Sequence, residues 1–176
     1  MTDKHELVRP AFFAGQLLTD QDLQLEQQYF MDRLRRHHRF LHGWGVVHGL
    51  RVSVADSSTV VVSPGVAIDC EGNDLVCETP QKISISQIAS GLFVALRYCE
   101  HHLRTVPTPG EEERPSRVCE SVLLELLTSD PNSNHRGMGP GTPGCGTAHS
   151  VCIAALARRG TRWRVIAQLG RSKRRR

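Results

Sequence analysis

Aromatic residues are scarce in this chain, at 5%. Base-stacking platforms for single-stranded nucleic acid need several rings on one face, so nucleic acid is not an expected partner of the body of the protein. No apolar run approaches the roughly 20 residues that a membrane-spanning helix requires, and no membrane insertion is expected. The opening stretch "MTDKHELVRP" lacks the charged-then-apolar pattern of a signal peptide. The expected location is the cytoplasm or an assembled particle, and the six cysteines are expected as thiols. The sequence has no G-x-S-x-G, no Walker loop and no H-E-x-x-H. These absences remove the common hydrolase, P-loop and zinc-protease readings. No catalytic residue is assigned, and the chain is not expected to be an enzyme.

What is present is an ordinary globular composition, 39% hydrophobic and 23% charged over 176 residues. That length supports one domain with a real core. The net charge of +4 comes from the end of the chain, where "RSKRRR" holds five positive charges. Without it, 17 basic residues face 18 acidic ones. Residues 171–176 therefore read as a solvated basic tail, whose only route to nucleic acid or an acidic partner is weak and salt-dependent.

Residues 1–18 contain an apolar lead-in, "RPAFFAGQLL". Phe12, Phe13, Leu17 and Leu18 are candidates for docking a partner, with core packing as the alternative. A single domain is expected over 19–170. Thr19 is a good N-cap, with Asp20 and Asp22 placed to favour the helix dipole. Leu23, Phe30, Leu34 and Leu41 recur at helical spacing, which predicts a helix over about 20–40. A β module follows over about 45–170, with valine-rich alternating segments and turn chemistry at Pro64-Gly65 and at 71–74. "GLFVALRYCE" (91–100) predicts a strand buried on both faces. Residues 117–129 fit strand or helix, with strand favoured by their place between strand signals, and 150–170 read as a hairpin turning at Arg159-Gly160. Residues 101–116 and 129–149 read as loops, the second long enough to be functional or disordered. The expected fold class is α+β, mostly β: one N-terminal helix laid against a small antiparallel β-barrel or sandwich.

Two places carry candidate chemistry. In "LHGWGVVHGL" (41–50), His42 and His48 lie among three glycines and one tryptophan. His38 and His42 have i, i+4 spacing but no carboxylate between them. The stretch reads as a structural corner, Gly43, Trp44, Gly45 and Gly49, in which a helix ends and a strand begins. In "CGTAHSVC", Cys145, His149 and Cys152 form a Cys-x3-His-x2-Cys cluster at the end of the long loop. Three such ligands at short spacing suit zinc, with Cys99 or His101 (or the adjacent His102) as the fourth. A structural zinc would order a loop that lacks a core of its own; the alternative is a free thiol beside a solvated histidine. Cys70, Cys77, Cys99 and Cys119 lie in strand-like runs and read as small core residues. No other cofactor is indicated.

The order of "RPAFFAGQLLTDQDLQLEQQYF", "RRHHRFLHGWGVVHGLRV", "VVVSPGVAIDCEGNDL", "LRYCE" and "RPSRVCES" resembles a family of small bacterial proteins associated with gene clusters for phage-tail-like contractile injection systems. The resemblance covers most of residues 9–125, and the C-terminal third matches more loosely. It implies a non-catalytic structural part of a tail-like particle or its baseplate, with other protein subunits as partners. The alternatives are a stand-alone zinc-stabilised binding domain and, third, a metal- or cysteine-dependent enzyme.

Overall fold

The computed structural model describes residues 7–85, 91–107, 110, 113–135, 138–139 and 141–170. The basic tail lies outside the described residues. Helix α1 runs Asp20–His37, followed by one π turn, His38–His42. Thr19 caps it through a reciprocal box: its hydroxyl accepts from the Asp22 N–H at 3.2 Å, and its own N–H donates to Asp22 Oδ2 at 2.9 Å. The Thr19 hydroxyl also donates to Asp22 Oδ2 at 2.6 Å, and that bond, with the one from the Thr19 N–H, holds the Asp22 carboxyl below its usual range.

Ten strands follow. They are β1 Gly45–Gly49, β2 Val52–Val54, β3 Thr59–Val62, β4 Gly65–Ile68, β5 Asp74–Cys77, β6 Gln81–Ser84, β7 Gly91–Pro107, β8 Glu113–Leu127, β9 Val151–Arg159 and β10 Arg162–Gln168. They form three antiparallel sheets in the orders β1-β4-β5, β2-β3-β6 and β10-β9-β7-β8. The fold is mostly β with one N-terminal helix. The sheets are open, each ending in two edge strands, so among the described residues there is no closed barrel.

One hydrophobic core joins the three sheets. Alternation along β3 sends Val60 and Val62 inward, and β7 contributes Leu92, Val94 and Leu96. Strand β9 is buried on both faces from Val151 to Leu156, and β7 and β10 pair with its two edges. Leu50, Leu75, Ile153 and Trp163 complete the packing. The Gln168 side chain extends the hydrogen bonding between two sheets. It donates to the Val52 carbonyl at 2.7 Å and accepts from the Val52 N–H at 3.2 Å, so it serves the edge of β2 as a short strand would.

Two expectations are corrected. First, α1 is not laid along the β module: none of its residues is buried, and Leu23, Phe30 and Leu34 are exposed. The helix is rooted by its C-terminal end. There, Arg35 Nε donates to Asn73 Oδ1 at 2.7 Å, and His38 Nδ1 lies 3.1 Å from the Gly72 carbonyl and 3.3 Å from Asp74. The apolar period that normally signals burial here faces solvent. Leu23→Ser is accordingly expected to change the unfolding free energy by less than about 0.5 kcal/mol, as read from urea titrations. A helix packed along the core would lose several times more.

Second, most of residues 101–116 is not a loop. Strands β7 and β8 pair without interruption of direction from Phe93↔Leu127 to Pro107↔Glu113, leaving 108–112 as the connection. Strand β9 pairs with β7 only over Gly91–Leu96, so the outer part of the hairpin is a two-stranded arm. Leu103 and Val118 on it are exposed. Prolines at 107 and 115 fall where the arm is two-stranded, the setting in which a missing N–H costs little.

Candidate metal centre

The corner at 43–50 and the long loop meet in one place. Gly43 has φ 73° and donates its N–H to the His38 carbonyl at 2.9 Å, which closes the π turn. A Cβ at that position would overlap the Gly139 carbonyl, so the loop backbone seats against the bare Cα. Gly45 and Gly49 also have positive φ and open and close β1. Trp44 is 2% exposed. Its carbonyl accepts from Gly139 N–H at 2.8 Å, and its indole lies 4.9 Å from the His135 ring. His48, by contrast, is exposed on β1. Substituting His48 with alanine is expected to alter stability by under about 0.5 kcal/mol in thermal unfolding.

His135 in turn lies 4.5 Å from the His149 ring, and these imidazoles complete a cluster with two thiols. The candidate ligand atoms of Cys70, His135, Cys145 and His149 all lie within 4.8 Å of one another. His149 Nε2 is 2.9 Å from His135 Nε2 and 3.5 Å from Cys145 Sγ. Around a tetrahedral zinc, the N–N and S–N edges would measure about 3.3 and 3.5 Å. Three separated parts of the chain supply the set. Cys70 sits in the turn between β4 and β5, His135 in the first part of the long loop, and Cys145 and His149 in the second.

Each position is fixed by its surroundings. The turn is built on buried Asp69, whose Oδ1 accepts from the N–H groups of Glu71, Gly72 and Asn73, each at 2.9 Å. The Cys70 carbonyl accepts from Gly146 N–H at 3.0 Å. Gly144 presses its Cα on the Cys70 backbone, where a Cβ would collide. His149 Nδ1 lies 3.1 Å from the Ser150 carbonyl. A proton on Nδ1 meets that acceptor and leaves the Nε2 lone pair facing the cluster, the tautomer a metal ligand needs. Asn132, also buried, donates to the same carbonyl at 3.0 Å and accepts from Cys152 N–H at 2.7 Å, which anchors the loop to β9.

The electrostatics suit a metal ligand set better than a nucleophile. Burial, with Cys145 alongside, pushes the Cys70 thiol up to about 12. A thiol so raised is unreactive at neutral pH until a cation replaces its proton. Burial and the neighbouring His149 lower the His135 pKa and favour the neutral ring. His135 Nδ1 is buried and has no hydrogen-bond partner among the described residues, a state that costs about 1–3 kcal/mol.

Of the sequence candidates, the structure brings Cys145 and His149 together. Cys152, Cys99 and His101 are not in the cluster. Cys152 is buried at the start of β9, its thiol directed to the Ala154 carbonyl at 3.6 Å, and burial raises its pKa to about 12. Cys99 Sγ contacts the Ser121 hydroxyl at 3.1 Å across the β7–β8 pair, and His101 Nδ1 lies 3.3 Å from the same hydroxyl. His102 is exposed on the arm. Cys70 and His135 were missed. Cys70 was read as a core residue, although its place just ahead of "EGND" put it at a turn. Phe12, Phe13, Leu17 and Leu18 are all exposed, Leu17 to 87%, so the core-packing alternative does not hold among the described residues.

An open three-sheet β fold with a rooted, projecting helix is the class of protein described here. No protein-family model matches the sequence, and no curated protein matches it. Solved structures do share the fold. One is the type VI secretion system TssK-TssF-TssG baseplate subcomplex, in which a chain is matched with a TM-score of 0.54 at 13% identity, over 93% of this chain and 61% of that one. Another is the baseplate complex from the type VI secretion system, with a TM-score of 0.53 at 13% identity, over 91% of this chain and 58% of that one. These neighbours are components of a phage-tail-like system. The chain spans about three fifths of the length of the chains it matches.

Proposed function

We propose that this protein is a non-catalytic structural or adaptor component of a phage-tail-like contractile injection particle or its baseplate. The observation that carries the reading is the shared fold, which extends over more than nine tenths of the chain in two baseplate structures. The surface supports it. A capped helix with exposed leucine and phenylalanine, an exposed apolar lead-in and a two-stranded arm are each poorly stable alone in water. Contact with other subunits would cover all three. The partners are protein subunits of an assembly, and the protein works within the assembled particle. Among the described residues no helix is long and apolar enough to cross a membrane.

The Cys2His2 cluster favours a second reading, a stand-alone zinc-stabilised binding domain. The two separate on the lead-in. Phe13→Ser with Leu17→Ser is expected to reduce co-sedimentation with particles from the native host by at least about tenfold, the effect of losing roughly 1.4 kcal/mol of binding. Thermal unfolding should not change, because both side chains are exposed. Undiminished co-sedimentation would remove the lead-in from the interface.

A further inference from the structure

We propose that Cys70, His135, Cys145 and His149 bind one zinc ion that fastens the loop between β8 and β9 to the turn between β4 and β5. The ligand types carry the choice of metal. Two thiolates and two imidazoles in a compact set match the borderline-soft, tetrahedral preference of zinc. All four positions come from the protein, so the site is closed and structural and holds no place for a substrate. The His149 Nε2–Cys145 Sγ separation of 3.5 Å matches a tetrahedral edge, the His149 Nε2–His135 Nε2 separation of 2.9 Å is about 0.4 Å short of one, and an Nδ1 proton on the Ser150 carbonyl would present His149 Nε2 as a lone pair.

The loop needs such a fastening. Among the described residues no strand lies between Leu127 and Val151, and a segment of this length adds little core of its own. The ion would sit where three parts of the molecule converge. Arg39 of the π turn donates to the Gly144 carbonyl at 3.0 Å, Trp44 holds Gly139, and Gly146 holds Cys70. Zinc therefore also fixes the direction in which α1 leaves the β module. That last consequence rests on the proposed role of the helix in docking; the site itself does not.

The test is the metal content of the full-length chain, purified without added metal and without chelator. About one zinc per chain is expected, by analogy with other closed sites. Cobalt(II) exchanged into the site should give thiolate charge-transfer and tetrahedral d–d absorption. Cys145→Ser should lower retained zinc at least about tenfold, and the exposure of Cys145 makes the variant compatible with folding. Cys99→Ser and His101→Ala should retain it. Several results would overturn the proposal: a folded chain with no zinc, stoichiometric iron or copper instead, loss of zinc in Cys99→Ser, or a Cys70–Cys145 disulfide in freshly purified protein. None of these depends on whether the chain joins a particle.

Discussion

Trp44→Ala is expected to lower the unfolding free energy by about 3–5 kcal/mol, the range for deleting a buried tryptophan from a packed site. The indole is buried and lies against the His135 ring, while the Trp44 carbonyl accepts from the Gly139 N–H. Deleting it leaves a cavity that the surrounding backbone cannot fill. Gly43 and Gly45 are already in close contact with Gly139 and Gly170, so inward collapse is blocked. Part of the loss should appear as weaker metal retention, because His135 loses one face of its support. The check is urea unfolding followed by far-ultraviolet circular dichroism, with His48→Ala in parallel. Equal losses in the two variants would mean that the corner is not organised around Trp44.

Asp69→Ala is expected to cost about 3 kcal/mol or more, from several buried N–H groups losing their acceptor at about 1–3 kcal/mol each, less what water restores. One carboxylate oxygen serves three backbone N–H groups, and the other accepts from the Asn73 amide at 2.8 Å. No neighbouring side chain repeats this pattern at the turn. The same turn holds Cys70 on one side and receives Arg35 through Asn73 on the other. Loosening it should reduce zinc retention and free the root of α1 together. Asp69→Asn, which keeps the acceptor on one oxygen, should recover part of the stability in the same urea titration. A stable Asp69→Ala variant with unchanged metal content would show that the turn is held by other contacts.

These two residues illustrate what the sequence could and could not reveal. Local signals were readable where a single segment decides the outcome. Thr19 with Asp22 announces the helix start, and Gly160 follows the end of β9 with φ 62°. A run of valines announces β3. The signals failed where the answer depends on packing between distant segments. An apolar helical stripe normally marks a buried face, but among the described residues no surface covers it. Proline and three glutamates made 101–116 look like loop, although backbone pairing with β8 carries the segment as strand through Pro107. The ligand set was half legible for the same reason. Cys145 and His149 are close in sequence, whereas Cys70 and His135 reach them only after the turn and the loop fold together. Cys99 was put forward instead because it looked available. Its thiol is engaged with Ser121 across a strand pair.

Membership of a tail-like particle is tested most directly by sedimentation of the tagged chain from its native host, with negative-stain imaging of the fraction that holds it. The chain is expected to run with contractile, tail-like particles at a fixed ratio to their other subunits. A chain that runs only at monomer or dimer size, in cells that contain such particles, would contradict it.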